Sequence, residues 1–591
     1  MKNDSIVQEL LLPGLEFAAP VEMYANVNEY VEPHLASRQL VVRAGGRVSF
    51  DTYFNGVSVG VWKRATTIDS LRFVAQGSGK FILRVGLHRL GHSHRWLSEH
   101  EVEFSPEGSV SVDMPWAAVE DGILYVALDA QTDGTLTGGR FETQSMPSQD
   151  VKLGIVVTHF NRKAFVVPAI RRIVEQLLTR PEYRGNIELI VVDNSRNLTA
   201  EDAVGATVIP NLNLGGAGGF TRGLLHLIDG KFFTHCLFMD DDASCEIESI
   251  RRSYVMQCFA RSPKLAVSGA LLREMEPFRL FEKGAIYRAG HLRPLNHWRD
   301  MRQTFDLLKA EEQETYSVYG AWWFFNFKIS EVKSYPYPFF VRGDDVLFSI
   351  LNGFKIETMN GISCWGEDFQ LKENPATRYL GLRATLAIML VTVDATPRAT
   401  LSVMLGWFIA SLFSYNYSSA EAITNAIRDV AKGPEFWLEN MDMVAVRAEL
   451  APLCEMEKMR PVCMADYDLV HRSTEEGKWH RRLRLLTLNG FLLPGFLIRD
   501  ATVFDVKSFR GAFRRVFRHR RVLYFYDAMG LGYVAEYDKR RFFGAVLRFV
   551  RTAYGFLRNL AQLKSDYRKA LPGMTSEAFW RKIYEAELRG E

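Results

Sequence analysis

The sequence predicts a multidomain α/β protein: an antiparallel β-sandwich or barrel over 1–150, a parallel-sheet α/β domain over 151–384 and a helical region over 385–591. Three observations predict it. The chain has 591 residues, whereas single hydrophobic cores stop growing at roughly 250–300 residues. Near residue 150 the hydrophobic pattern changes from strict alternation to strands alternating with helices. After about residue 384 the strand signal fades and long amphipathic segments take over.

Before residue 150, the segments QLVVRAG, RVSFDTYF, KFILRVGLHRL, GSVSVDMPW and ILYVALDA alternate apolar with polar residues between glycine-rich turns. That is the pattern of half-buried antiparallel strands. Such a module suits either carbohydrate binding or packing support for its neighbour, since a fold does not fix a function. From Lys152 the order becomes βαβ: LGIVVTHF, a helical AIRRIVEQLL, IELIVVDNS, the strand ATVIPN, a glycine-rich turn with a helix, and the strand THCLFMDDD. This predicts a parallel sheet covered on both faces, with ligands bound beyond the carboxyl ends of its strands. Further on, SSAEAITNAIRDVAKGPEFWLENM opens with a Ser/Glu capping pattern. VFDVKSFRGAFRRVFRHRRVLYF and DKRRFFGAVLRFVRTAYGFLRNL interleave arginine with apolar residues at helical spacing. They predict either an amphipathic surface docked on an anionic bilayer or a helical subdomain with solvated arginines.

Composition narrows the class. At 47% hydrophobic, 24% charged and a formal net charge of +3, the chain is an ordinary globular protein and not a dedicated nucleic-acid binder. Cys236, Cys245, Cys258, Cys364, Cys454 and Cys463 are scattered without a CxxC pair, and the polar start MKNDS has no signal-peptide pattern. Free thiols in a reducing, cytoplasmic compartment are expected. The longest apolar stretches, 400–413 and 485–498, fall short of the ~18 residues of a membrane span.

The chemistry begins with Asp240-Asp241-Asp242 at the end of the apolar strand CLFM. Carboxylates there suit a hard divalent cation, Mg²⁺ or Mn²⁺, that neutralises a departing diphosphate, although three aspartates also suit a solvated turn or a helix start. Upstream, NLNLGGAGGFTRG (211–223) contains Asn213, Gly215, Gly216 and Arg222, glycines for close backbone approach to a nucleotide and an arginine for phosphate. Thr158-His-Phe160-Asn161-Arg162 and Asp193-Asn194 each end a strand of the same sheet, at rim positions for a base and ribose. Asp344-Asp345 in FFVRGDD suit either a catalytic acid pair or an ordinary helix start. Trp322-Trp323 in YGAWWFFNF suit a sugar-stacking platform or a core, and as strand neighbours they would face opposite ways.

THFNR, VVDNS, NLNLGGAGGF-TRG, FMDDD and FFVRGDD resemble motifs of the family 2 glycosyltransferases, most closely the polymerising galactofuranosyltransferases of mycobacterial galactan synthesis. The resemblance implies a GT-A (Rossmann-like) central domain, a UDP-sugar donor and a glycan acceptor, lipid-linked and extended at the cytosolic face of the membrane. It implies that Asp240 and Asp242 hold the metal, with Asp241 facing the nucleotide-sugar. Phe160, Arg162 and Asp193 would contact uridine, and Gly215, Gly216 and Arg222 would line the donor pocket. Asp345 would be the general base, Asp344 a sugar-hydroxyl partner, Arg342 a phosphate contact, and Glu282 in LFEKGAIY a sugar-contacting acid, where a surface glutamate is the plainer expectation.

One departure stands out. The relatives carry a histidine after a tryptophan, completing the metal site, and another in a Tyr-x-His-x-Arg segment; here Gly366 and Gly381 occupy those places. Glu367, Asp368 or water would then complete the coordination, or the metal would be held less tightly, or the donor would differ. Three readings follow: a galactofuranosyltransferase, a related inverting transferase with another donor such as a rhamnosyl nucleotide, or a non-catalytic glycan-binding protein. Each leaves room for an oligomer.

Overall fold

The computed structural model describes residues 5–104, 109–312, 316–393, 395–471, 475–506 and 513–589. The first part of the chain forms one 11-stranded antiparallel sheet. Its organiser is the 17-residue strand Arg72–His88. The first half of that strand pairs with Ser109–Asp113 and Gly134–Thr143, the second with Arg95–Phe104 and Ile123–Ala130. The sheet therefore nearly closes on itself around Phe50, Phe73, Leu83, Val126 and Phe141, all fully buried.

Next comes a seven-stranded sheet. Thr207–Pro210, Ile187–Asp193, Leu153–His159 and His235–Asp240 run side by side and parallel, followed by the antiparallel Phe325–Lys328 and then Leu265–Ser268 and Lys355–Glu357. Ile187–Asp193, Leu153–His159 and His235–Asp240 are buried nearly throughout, as strands covered on both faces are. Register sets the rim: His159 pairs with Asp193, and Thr158 with Asp240. Polar residues that end these strands are thus brought to one edge.

The two parts share an interface of buried contacts. Phe17 stacks on Trp365 at 4.7 Å, and the Tyr24 hydroxyl donates to Glu246 at 2.8 Å. Glu248 accepts from Arg251 and Arg252, all three buried, and Arg252 also donates to the Phe54 carbonyl at 2.6 Å. Breaking such a buried ion-paired group by removing one partner costs on the order of 3–5 kcal/mol.

The last part is helical but not wholly so. Pro375–Val391, which crosses residue 384, opens on an Asn374/Thr377 capping box, and Tyr417–Val430 packs against it and against Lys539–Arg558. The Ser/Glu pattern at 418–421 does not cap: the helix has already started at Tyr417, and Ser419 is bonded to Glu457. The all-helical expectation needs a larger correction. Arg499–Val506, His519–Tyr526 and Leu531–Glu536 lie in a five-stranded mixed sheet. In the segment 503–525, residues 507–512 lie outside the described residues. The run Val522–Tyr526 is buried throughout, the mark of a strand covered on both faces, which arginine spacing alone disguises as a helix. The final helix, Glu577–Arg589, returns to the central domain: the Trp580 indole donates to the Pro336 carbonyl at 2.8 Å and the Tyr584 hydroxyl to Gly218 at 2.7 Å. All six cysteines are free.

Candidate active site

A cleft of about 260 Å³ opens at the carboxyl edge of the central sheet. Thr158, Phe160, Arg162, Asn213, Gly215, Gly216, Asp240 and Asp241 line it, joined by His159, Asn194, Phe340, Val341 and Arg447. The helix Gly215–Asp229 points its N-terminus into the cleft. The Gly215 N–H is taken by Asn213 Oδ1 at 3.2 Å, so that end offers an anion the helix dipole and the Gly216 N–H. Gly215 has φ 69°, and a Cβ there would fall 2.1 Å from the Phe340 carbonyl oxygen, which accepts from Ala217 N–H at 3.1 Å. Only glycine permits this approach. It ties the glycine-rich helix to the FFVRGDD loop, where Phe340 and Arg342 are themselves left-handed at φ 71° each. Strain of this kind persists where the surroundings over-determine it.

The three aspartates differ sharply. Asp240, closing its strand, has no hydrogen bond or ion pair to its carboxylate among the described residues. Burial first, then the charges of Asp242 and Asp241, raise its pKa to about 8. Asp241 accepts from His159 Nδ1 at 3.2 Å and from the Phe160 N–H at 3.4 Å. Burial opposes protonation of His159, but its bonds to Asp241 and Asn197 outweigh that and raise its pKa. Asp242 accepts from Lys372 at 2.8 Å and from Arg162. Burial resists its ionisation, yet the two cations hold it below the ordinary carboxylate value.

Across the cleft, Asp344 and Asp345 open the helix Asp344–Asn352 after Gly343. Asp344 is buried, with a carboxylate oxygen 3.3 Å from where a Gly216 Cβ would sit. Burial, then Asp345 and Asp240, hold its pKa well above the ordinary range. Burial also raises Asp345, to about 6, against the pull of the Val346 N–H and Arg342. Arg342 lies over the Phe369 ring at 4.9 Å. Glu282 is not a surface residue: it is buried, accepts from the Tyr319 hydroxyl, and burial with the nearby Asp345 charge lifts its pKa to about 8.

Four expectations are corrected. Trp322 is core, edge-on to Phe220 at 5.1 Å, Phe238 at 5.2 Å and Phe348 at 5.7 Å, so its indole offers no stacking face. It and Trp323 precede the strand Phe325–Lys328 in a turn; Trp323, half-buried, donates to the Gly269 carbonyl at 2.9 Å and faces Phe369. Asp193 lies under the cleft, spent on folding its own loop: it accepts from Ser195, Asn197 and Leu198 N–H at 2.9, 2.7 and 2.8 Å. Arg222 points away and stacks on Tyr584 at 5.0 Å. Asp368 is no free ligand, being paired with Arg273 and the Tyr526 hydroxyl. Glu367 is exposed and lies 3.3 Å from Lys372. Among the described residues no group of three or more His, Cys, Asp or Glu side chains is placed to hold a metal.

His159, Lys372 and Arg447 are site residues that motif reading missed. His159 had a signal, since it lies inside THFNR at a strand end. Lys372 and Arg447 had none, because the long-range fold brings them in.

A parallel sheet with a glycine-rich helix start and an acidic strand end at its carboxyl edge makes an α/β fold with a polar cleft. Comparison with known proteins agrees in sequence. The chain is 23% identical over 595 residues to galactofuranosyltransferase GlfT2 of Mycolicibacterium smegmatis, covering 91% of this chain and 89% of that one. It is 24% identical over 606 residues to galactofuranosyltransferase GlfT2 of Mycobacterium tuberculosis, covering 92% and 91%. Among solved structures, GalNAc-T7 with UDP, GalNAc and Mn²⁺ matches 42% of this chain and 49% of its own at 11% identity and a TM-score of 0.30. No family model matches.

Proposed function

We propose that this protein transfers galactofuranose from UDP-galactofuranose to a hydroxyl of a growing cell-surface glycan, with inversion at the anomeric carbon. The observation that carries the reading is geometric: Asp240 lines the cleft beside Gly216, and an Asp344 carboxylate oxygen lies 3.3 Å from where a Gly216 Cβ would sit. Acids from two distant segments thus converge over the N-terminus of a glycine-rich helix. Similarity to two galactofuranosyltransferases over nine-tenths of the chain supports glycosyl transfer and suggests the sugar.

In this reading the diphosphate rests on the Gly216 N–H and the positive end of the helix dipole, with Arg162 as counter-charge. Asp345 takes the proton of the acceptor hydroxyl as that oxygen attacks the anomeric carbon; a base near pKa 6 is ionised at neutral pH and still basic enough to help. One direct displacement inverts the centre. Asp344 and Glu282, both held towards the protonated form by burial, offer O–H groups to sugar oxygens.

The donor set suits a divalent cation. Asp240 has no side-chain partner among the described residues and burial holds its proton, which a cation would displace; Asp242 is two residues away, and Mg²⁺ or Mn²⁺ is ordinarily held by one or two carboxylates plus phosphate oxygens. Asp240 and Asp242 would hold it, and when bound it supplies positive charge to the leaving diphosphate. Lys372 competes for Asp242. Lys372→Met is therefore expected to tighten Mn²⁺ binding about tenfold, by loss of one close unit charge, in a paramagnetic-resonance titration; unchanged affinity would show that Lys372 does not compete.

The acceptor side favours a membrane surface. No helix among the described residues is long and apolar enough to cross a membrane, yet Trp479 and Leu486 are 77% and 78% exposed on the helix that carries Arg481 and Arg482, and Phe496 of the turn Gly495–Leu497 is 85% exposed. Exposed aromatic and aliphatic side chains among basic ones suit an anionic bilayer. A Trp479→Ala/Phe496→Ala protein is expected to lose co-sedimentation with phosphatidylglycerol vesicles while keeping UDP binding; full co-sedimentation would move the contact elsewhere.

The donor is tested by UDP release from a panel of UDP-sugars, with and without Mn²⁺ or Mg²⁺. Turnover of UDP-galactofuranose above all others is expected. Preference for another donor would discard the sugar assignment and keep the enzyme class.

A further inference from the structure

The outward face of the N-terminal sheet carries an aromatic cluster that transfer does not use. Tyr125 pairs with Gly86, and Gly86 with Trp96, so three neighbouring strands present these positions on one face. A Cβ at Gly86 would fall 2.4 Å from the Tyr125 ring. Its absence lets the phenol lie across the strand, where it stacks on His88 at 4.9 Å and 8°. His94 Nε2 and the Tyr125 hydroxyl are 2.6 Å apart, and the His94 ring meets Trp96 edge-on at 4.6 Å. The Arg84 guanidinium lies over Trp96 at 5.8 Å. Trp96 is thereby held in place, yet it is 48% exposed.

The rim around it is polar and balanced. Arg84 donates to Glu99 at 2.7 Å and also to Asp129, which accepts from Arg47 at 2.5 Å. An anionic ligand would meet the carboxylates of Glu99 and Asp129, and an apolar one would bury this charge network without replacing its water. A fixed indole beside planar carboxylates and a guanidinium instead matches a sugar ring, which has an apolar C–H face and a perimeter of hydroxyls.

We infer that this face binds a neutral oligosaccharide, with Trp96 stacked on one sugar ring and Arg84, Glu99 and Asp129 taking its hydroxyls. The inference goes beyond the transfer reading, since it places a glycan site outside the donor cleft and stands even if the donor is another sugar. A protein that grips one glycan at two points gains effective concentration at the second.

The test is affinity electrophoresis of the full chain in native gels containing soluble galactofuranan, xylan or β-glucan. At least one polysaccharide is expected to retard the protein, saturating UDP should not relieve it, and Trp96→Ala should weaken binding about tenfold, the scale of one lost aromatic contact. Arg84→Gln should weaken it in part, and Asp345→Asn should leave it intact. Trp96 is half exposed, so its truncation spares the core, and an unchanged melting temperature checks this. Retardation by none of the three, relief by UDP, or wild-type binding by Trp96→Ala would each overturn the inference.

Discussion

Asp345→Asn is expected to lower transfer about 10²–10⁴-fold, the ordinary contribution of a general base, while UDP affinity stays within about twofold because no ground-state contact to the donor is lost. The amide is close to isosteric and keeps an oxygen for the Val346 N–H, which Asp345 accepts at 2.8 Å. pH gives a second readout. Burial raises the Asp345 pKa to about 6, so kcat/KM of the wild type should fall about tenfold per unit as pH drops below that value. The stability effect has the opposite sense. A raised carboxylate binds more protons folded than unfolded, so its ionisation costs stability, a cost that grows as pH rises from the unfolded value towards about 6 and persists above it. Asp345→Asn should therefore melt higher than wild type at neutral pH, a trade of stability for activity expected of a catalytic acid cluster. A variant that melts lower and loses UDP binding would make Asp345 a scaffold of the donor pocket.

Gly215→Ala is expected to be nearly as damaging, through both donor and base. At φ 69° an alanine costs roughly 1–2 kcal/mol in backbone strain. The larger effect is steric, because the new Cβ would lie 2.1 Å from the Phe340 carbonyl oxygen. Backbone must move, and with it either the helix start that receives the diphosphate or the loop that carries Asp344 and Asp345. UDP affinity should fall at least about tenfold and transfer at least about 10²-fold, since small misplacement of reacting groups is expensive. Calorimetry with UDP and initial rates check the two parts. Wild-type affinity with normal turnover would show that the close approach of helix and loop has no role.

The parts of the molecule legible in sequence are those where local pattern and tertiary role coincide. THFNR and FMDDD read as strand ends because apolar runs precede them, and the parallel register then puts Thr158 beside Asp240. Gly215 reads as a tight approach, since no other residue serves there, and Gly216 as a close one, its built Cβ 3.3 Å from an Asp344 carboxylate oxygen. What stayed hidden depends on partners far along the chain. Asp193 ends a strand as expected, but three backbone N–H groups of its own loop consume its carboxylate. Arg222 is claimed by Tyr584 of the last helix, and Trp322 by phenylalanines from three other elements. Lys372 and Arg447 reach the site from segments with no motif of their own. The C-terminal sheet was masked by arginines at helical spacing, which a buried strand between polar ends also produces.

The most direct measurement is the product itself. The protein is incubated with UDP-galactofuranose and an acceptor ending in galactofuranose, and the product is followed by mass spectrometry and proton NMR. Hexose additions that vanish in Asp345→Asn are expected, each new linkage having the anomeric configuration opposite to that of the donor. A folded protein that binds UDP yet adds no sugar, or that retains the donor configuration, would contradict it.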